Sequence, residues 1–400
     1  MSKKKIGLVP KLIMGIIFGI LIGSFAPEPV VSILVTLGSL FSSFLKFVIP
    51  FIIVGFVTAG IADIATGAGK LLGITTALSY GSTIIAGTLS LVVSSLVFPY
   101  FINSNSSQVI TSQTNAISPL FEIPLSPMMD VTSAIVFAFI MGIGISALRN
   151  NDTGKTLYNV FQEFQQIIIK VLATTVIPLL PIYIASTFAN MTYTGQVWSI
   201  LSVFWKVYLL VIPLQIIYVM MQFTVASIFT KRNPFKMAKK QIPAYLTALG
   251  TQSSAATIPV NLDCAKSNGI SKEIREFTVP LCATIHLSGS IIALTSFSVA
   301  VLMMNGMDYS FSTMIPFILM LGIAMVAAPG APGGAIMSAL PFLPMIGIPS
   351  DGGLASLMIA LDLTQDSFAT ASNVSGDNAI ALIVDYLNKK WIKKEEKKAA

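Results

Sequence analysis

Six apolar stretches of about 20 residues or more occupy most of the first 230 positions, at approximately 8 to 26, 31 to 62, 72 to 102, 130 to 148, 157 to 189 and 197 to 229. A helix needs about 20 such residues to cross the hydrocarbon of a bilayer, and in lipid only helices and closed barrels satisfy their own backbone polar groups. The chain therefore reads as an all-α polytopic membrane protein. Hydrophobic residues make up 54% of the 400 and charged residues only 10%, which excludes an ordinary soluble domain. The first stretch follows "MSKKK" and resembles a leader, but so many apolar segments come after it that it reads as a first span.

Lysine and arginine give the orientation. They flank the spans at Lys3, Lys4 and Lys5, at Lys70, at Arg149 and Lys155, and in "TKRNPFKMAKK" after the sixth span. The intervening loops "APEPV", "INSNSSQVITSQTNAISPL" and "NMTYTGQ" have none. Under the positive-inside rule this alternation puts both termini in the cytoplasm of a cell carrying the protein in its plasma or inner membrane. The net charge of +7 belongs to these loops and ends, so nucleic acid is not an expected partner.

The last 160 residues differ. Small and polar residues interrupt "TALGTQSSAATIPV" (247 to 260) and "VAAPGAPGGAIM" (326 to 337) in mid-segment. The first is flanked on both sides by basic sequence and the second by sequence without Lys or Arg, so each is expected to enter and leave the membrane on one side as a re-entrant hairpin. Each is followed by a span with a polar interruption, "HLSGS" at 286 to 290 and "NVSGD" at 373 to 377. Paired interrupted segments of this kind point to a transporter's midplane binding site built from inverted repeats.

The second of these spans carries the most charge. If 354 to 388 is a helix, Asp362, Asp366, Asn373 and Asp377 fall within about 60° of one another, with Thr370 at the edge and Ala369 in the middle. Each carboxylate at membrane depth costs about 2.5 to 3.5 kcal/mol. No Lys or Arg occurs between Arg275 and Lys389, and Lys46, Lys170 and Lys206 are the mid-span candidates elsewhere. The expected positive partner is external: a cation, a proton or a substrate ammonium. His286, the one histidine, lies in the first interruption, where it is either a hydrogen-bonded core residue or a titrating one. No second histidine or cysteine pair stands at ligand spacing to make a transition-metal centre, and Cys264 and Cys282 sit in apolar sequence.

"TQSSAATIPV", "ATIHLSGS", "PGAPGGAIM" and "QDSFATASNVSGD", in that order and spacing, resemble the dicarboxylate/amino acid:cation symporters, the glutamate-transporter fold. The resemblance implies eight transmembrane helices plus two re-entrant helical hairpins, an elevator-type secondary transporter and a homotrimer, with no cofactor beyond the transported Na+ or H+. It implies scaffold spans one and two in 1–70, a third span and outer loop in 71–129 and spans four to six in 130–229. A transport core follows in 230–388 and a cytoplasmic tail in 389–400.

Residue by residue, Asp366 matches the aspartate that binds the substrate's amino group in amino-acid members. Thr370, Asn373, Ser253, Ser254 and Ser290 match other substrate positions, and Gly330 to Gly334 match the gate tip. Ala369 stands where members with acidic substrates place an arginine, and Gln252 replaces another, which favours a neutral amino acid of the serine, threonine or alanine kind over an acidic amino acid or dicarboxylate. Asp377 and Asn373 match one sodium site. At the deeper site Ser82 and Thr83 are retained, while His286, Leu287 and Ser288 replace asparagine, methionine and aspartate. Sodium at Asp377 is the expected coupling ion, with proton coupling through His286 as the alternative. Two other classes remain open: a serine hydrolase using His286 with Ser288 or Ser254, for which the Gly-x-Ser-x-Gly elbow is missing, and a channel.

Overall fold

The computed structural model describes residues 8–64, 69–102, 117–149, 153–195, 197–326, 328 and 333–392, and over these the chain is helical with no β-strand. The six expected stretches become α1 (Leu8–Phe25), α2 (Glu28–Ile64), α3 (Gly69–Val97), α4 (Val131–Arg149), α5 (Lys155–Val171) running through a π turn into α6 (Ile177–Tyr193), and α7 (Val197–Thr230). Pro50, Pro181 and Pro213 lie inside these helices, where neighbouring helices absorb the lost backbone bond. Five stretches among the described residues are long and apolar enough to cross a membrane: Glu28–Ala59, Leu71–Tyr100, Lys155–Tyr193, Ile200–Thr230 and Lys272–Met304.

Beyond α7 the helices shorten: α8 (Pro234–Lys239), α9 (Ile242–Thr251), α10 (Ser254–Ser267), α11 (Lys272–Ile285), α12 (Ser288–Met304), α13 (Phe311–Val326), α14 (Gly334–Ala339) and the long α15 (Gly352–Leu387). The interruption in the first polar segment falls at Gln252, whose backbone is left-handed (φ 53°), and Ser253, whose hydroxyl accepts from the Ala256 amide at 3.2 Å and caps α10. The expected break in "HLSGS" is present, since His286 and Leu287 separate α11 from α12.

The expected break in "NVSGD" is not. Helix α15 runs without interruption through 373 to 377. The reason lies in where its polar side chains go. Ser375 donates back to the Ala371 carbonyl at 2.7 Å, and the Asn373 side chain bonds to the neighbouring chain segment at Gly289 and Ser290. Asn373 does not compete for the α15 backbone, and the Ser375 bond is of the i to i−4 kind that a continuous helix accommodates, so the helix stays closed.

Two packing groups emerge. α1 lies on α6, and α2 lies on α4, α5 and α6. Every residue of α12 is buried, enclosed by α3, α7, α13 and α15, and α15 also packs on α9, α10 and α11. Large apolar side chains such as Phe18 on α1, Ile140 on α4 and Ile217 on α7 face outward, as lipid-facing residues should.

The α1–α6 contact depends on small residues. A Cβ added at Gly15, Gly19 or Gly23 would lie 2.6, 2.4 and 2.4 Å from the carbonyl oxygens of Pro181, Ala185 and Ala189. Glycine every fourth residue lets the two backbones touch, the packing expected where lipid gives no hydrophobic drive. Gly19→Leu is expected to part the pair, costing about 1–3 kcal/mol and lowering the melting temperature in detergent. Gly144→Leu, where an added Cβ meets nothing within 4 Å, is the matched control and should melt like the parent.

Candidate functional site

The acidic face of α15 is buried: Asp362, Asp366, Asn373 and Asp377 are each 4% exposed or less. None of the three carboxylates forms an ion pair with lysine or arginine among the described residues. Lys46 pairs instead with Asp351 at 2.8 Å, Lys206 lies over the rings of Phe101 and Trp205, and Lys170 is exposed.

Asp366 occupies the upper part of this face. Its Oδ2 accepts from the backbone N–H of Gly333 at 2.9 Å, and Thr370 Oγ1 lies 3.5 Å from Oδ1. Gly333 adopts φ 77°, a conformation that glycine takes without strain, and turns its N–H onto the carboxylate as α14 begins. Gly334 follows it and is buried; Gly330 lies outside the described residues. Asp362, one turn earlier, is 1% exposed, and neither of its oxygens has a hydrogen-bond partner among the described residues. Ala369 is fully buried, and its carbonyl would lie 2.4 Å from a Cβ at Gly289, so glycine there brings the start of α12 onto α15.

Asn373 closes the break between α11 and α12. Its Oδ1 accepts from the amides of Gly289 (2.7 Å) and Ser290 (3.2 Å), and its Nδ2 donates to Ser290 Oγ at 2.9 Å. On the other side Gln215 of α7 donates to the Gly289 carbonyl at 2.9 Å and to Gln365 Oε1 at 3.1 Å.

Below the break, His286 Nδ1 stands 3.0 Å from Asp377 Oδ1, both side chains within 1% of full burial. Asp377 thus has a partner within the chain, a histidine rather than a lysine or arginine, and its Oδ2 is buried without one among the described residues. His286 Nε2 lies 3.1 Å from Ser82 Oγ and 3.1 Å from Gln222 Nε2, and Gln222 also reaches Ser82 Oγ (2.9 Å) and Ser288 Oγ (3.4 Å). Ser82 Oγ is in turn 3.1 Å from the Tyr218 hydroxyl. Thr83, expected beside Ser82, donates to the Ser79 carbonyl at 2.9 Å and is held on its own helix.

Ser253 and Ser254 stand at the tip where α9 turns into α10, half-buried and buried respectively, and neighbouring Gln252 donates to Ser367 Oγ at 2.8 Å. This pair of helices is fixed to α15 by amides: Gln241 donates to Asn261, and Asn378 donates to both Gln241 and Asn261. Sequence reasoning passed over Gln215, Tyr218, Gln222, Gln241, Asn261 and Asn378. Glutamines 215 and 222, a heptad apart inside an apolar span, were the available signal.

Chemically, the arrangement offers two anionic positions a few turns apart on one helix. Asp366 has a backbone donor and a hydroxyl beside it, which suits an ammonium that gives charge-assisted hydrogen bonds. Asp377 offers one free carboxylate oxygen, a hard donor of the kind that alkali and alkaline-earth cations prefer.

A model of the sodium:dicarboxylate symporter family matches residues 8–387. The serine/threonine transporter SstT of Acinetobacter baumannii is 27% identical over 400 aligned positions, covering 95% of this chain and 97% of that protein. Excitatory amino acid transporter 1 from Ambystoma tigrinum is 26% identical, covering 73% of this chain, and the mouse protein of the same name is likewise 26% identical. The matches span just over half the length of these two transporters, 56% and 54%. The chain belongs to the sodium:dicarboxylate symporter family, a family of multi-pass secondary transporters and not of enzymes.

Proposed function

We propose that the protein takes up a neutral amino acid of the serine, threonine or alanine kind, driven by a cation that is sodium rather than a proton. The observation that carries this reading is the buried acidic face of α15, which among the described residues has no lysine or arginine to neutralise it. Burying uncompensated carboxylates costs several kcal/mol apiece, so a mobile positive guest is the economical partner. Asp366 receives the substrate's ammonium, with Thr370, Asn373, Ser253, Ser254, Ser290 and the glycine tip around it. Asp377 receives the cation, in the neighbourhood of Asn373, Ser82, Thr83, His286 and Ser288. An aspartate or glutamate side chain would bring a further negative charge beside Asp362 and Asp366, and Ala369 offers nothing to hold it. The near full-length similarity to a protein named as a serine/threonine transporter supports the same class.

In this reading α9–α10 and α13–α14 are the two re-entrant hairpins, and the eight spans are α1, α2, α3, α4, α5–α6, α7, α11–α12 and α15. The group around α12 and α15 is the transport core that moves, elevator-fashion, against α1, α2 and α4 to α6 within a homotrimer. Both termini face the cytoplasm.

Asp366→Asn removes the charge opposite the ammonium, and amino-acid-induced thermal stabilisation of the purified protein should vanish; retained stabilisation would place the amine elsewhere. In proteoliposomes a sodium gradient without a pH gradient should drive accumulation of serine, threonine or alanine. Uptake driven by a proton gradient alone would transfer coupling to the His286–Asp377 pair. Ala369→Arg is expected to admit aspartate or glutamate in competition assays, and continued exclusion would show that selectivity rests on more than this position.

A further inference from the structure

Tyr208, Gln215, Tyr218 and Gln222 lie on one face of α7, spaced seven, three and four residues apart, while Leu209, Ile216, Ile217 and Met221 on the other side are exposed. An apolar span that carries two buried glutamines must give each a partner. Gln215 finds the Gly289 carbonyl and Gln365. Gln222 ends at the imidazole of His286, with Ser82 and Ser288 on either side. Room for this meeting comes from Gly376, where an added Cβ would lie 2.5 Å from Gln222 Oε1 and 2.7 Å from His286 Cε1.

An amide nitrogen only donates. A carboxylate only accepts, so Nδ1, 3.0 Å from Asp377 Oδ1, carries the hydrogen of the imidazole, and Nε2, 3.1 Å from the Gln222 amide nitrogen, is the acceptor. The Ser82 hydroxyl fits the same polarity. Tyr218 donates to the Ser82 backbone carbonyl at 2.6 Å and Gln222 donates to Ser82 Oγ, which leaves the serine hydrogen for the Tyr218 oxygen or for Nε2, both at 3.1 Å, and requires no hydrogen on Nε2.

We propose that Gln222 is a positioning residue that holds His286 in the tautomer with its hydrogen on Nδ1, fixing one oxygen of Asp377 and leaving Oδ2 as that carboxylate's contact to the transported cation. The tautomer stands on hydrogen-bond geometry alone; its consequence for the cation deepens the symport reading and rests on it. Partners of this indirect kind act on a cation site by orienting the groups that touch the ion.

The chain contains one histidine, so full-length protein labelled with 15N in the imidazole ring gives a single pair of ring-nitrogen resonances. At neutral pH, Nδ1 should show the shift of a nitrogen bearing hydrogen and Nε2 that of a bare one. A hydrogen on Nε2, alone or together with one on Nδ1, would overturn the proposal. Gln222→Glu replaces the donor with an acceptor and should abolish the bare-nitrogen signal of Nε2; an unchanged spectrum in a folded variant would refute the role of Gln222. Gln222→Met keeps the bulk without the donor. In it, the sodium concentration that half-saturates amino-acid-dependent thermal stabilisation should rise about tenfold, while amino-acid affinity at saturating sodium stays near the parent's. Parental sodium affinity in this variant would refute the positioning role. If the parent shows no sodium effect, the symport ion is misassigned, and the spectra still decide the tautomer.

Discussion

Opening a helix inside a membrane exposes backbone groups that lipid cannot satisfy, and the break between α11 and α12 is where this molecule meets that constraint most directly. The N–H groups of Gly289 and Ser290 go to the Asn373 side chain of α15, and the Gly289 carbonyl goes to Gln215 of α7. One distant helix thus satisfies donors orphaned at the start of α12, and a second adds a bond to a carbonyl of the same turn. The position of α15 against α12, the placement of His286 next to Asp377 and the approach of Gly289 to Ala369 all follow from closing that gap. A carboxamide serves both sides because it carries donor and acceptor without a charge to bury.

The buried carboxylates follow a different logic. Backbone polarity can be satisfied permanently; the charge on Asp362 and Asp366 is not, since among the described residues neither meets a cationic side chain and Asp362 has no hydrogen-bond partner for either oxygen. Asp377 is intermediate, with one oxygen on His286 and one without a partner. Among the described residues, the buried carboxylate oxygens without a hydrogen-bond partner, both of Asp362 and one of Asp377, lie on a single helix face. A protein that must bind and release a positive solute needs this division, because a site already neutralised by its own lysine would gain little from the guest.

Much of this was legible in the sequence. Apolar run length located α1 to α7 to within a few residues, because lipid thickness leaves few alternatives. Charge spacing likewise put Asp362, Asp366, Asn373 and Asp377 on one face, since a helix period fixes which residues are neighbours. The reading failed where the answer depended on a partner. "NVSGD" carries as many helix-weakening residues as "HLSGS", yet α15 stays helical because Asn373 bonds across to α12 while "HLSGS" opens to receive it. Local propensity cannot distinguish the side that breaks from the side that braces. Gln215 and Gln222 were passed over for the same reason: a glutamine's meaning in a membrane span is set by the residue it faces, and that residue is over 60 positions away.

The contacts between the two helix groups have a chemistry of their own. Within the first group, α1 and α6 touch backbone to backbone through glycines, a fit that any separation forfeits. Between the groups, Lys46 and Ser42 of α2 reach Asp351, Tyr183 donates to the Gly352 carbonyl, and Thr187 bonds to Ser356, around a cavity of about 550 Å³. A half-exposed ion pair and a few hydroxyl bonds are each worth about 1 kcal/mol net, because water replaces them when they open. If one group slides past the other, as proposed, these polar contacts part at small cost, the apolar packing of α2 on α13 and α14 and of α1 and α6 on α15 must be exchanged, and the glycine-packed helices stay together. The helices packed against α15 within its own group, α7, α9 to α12 and α14, would under that proposal travel with it, so its carboxylates would stay buried.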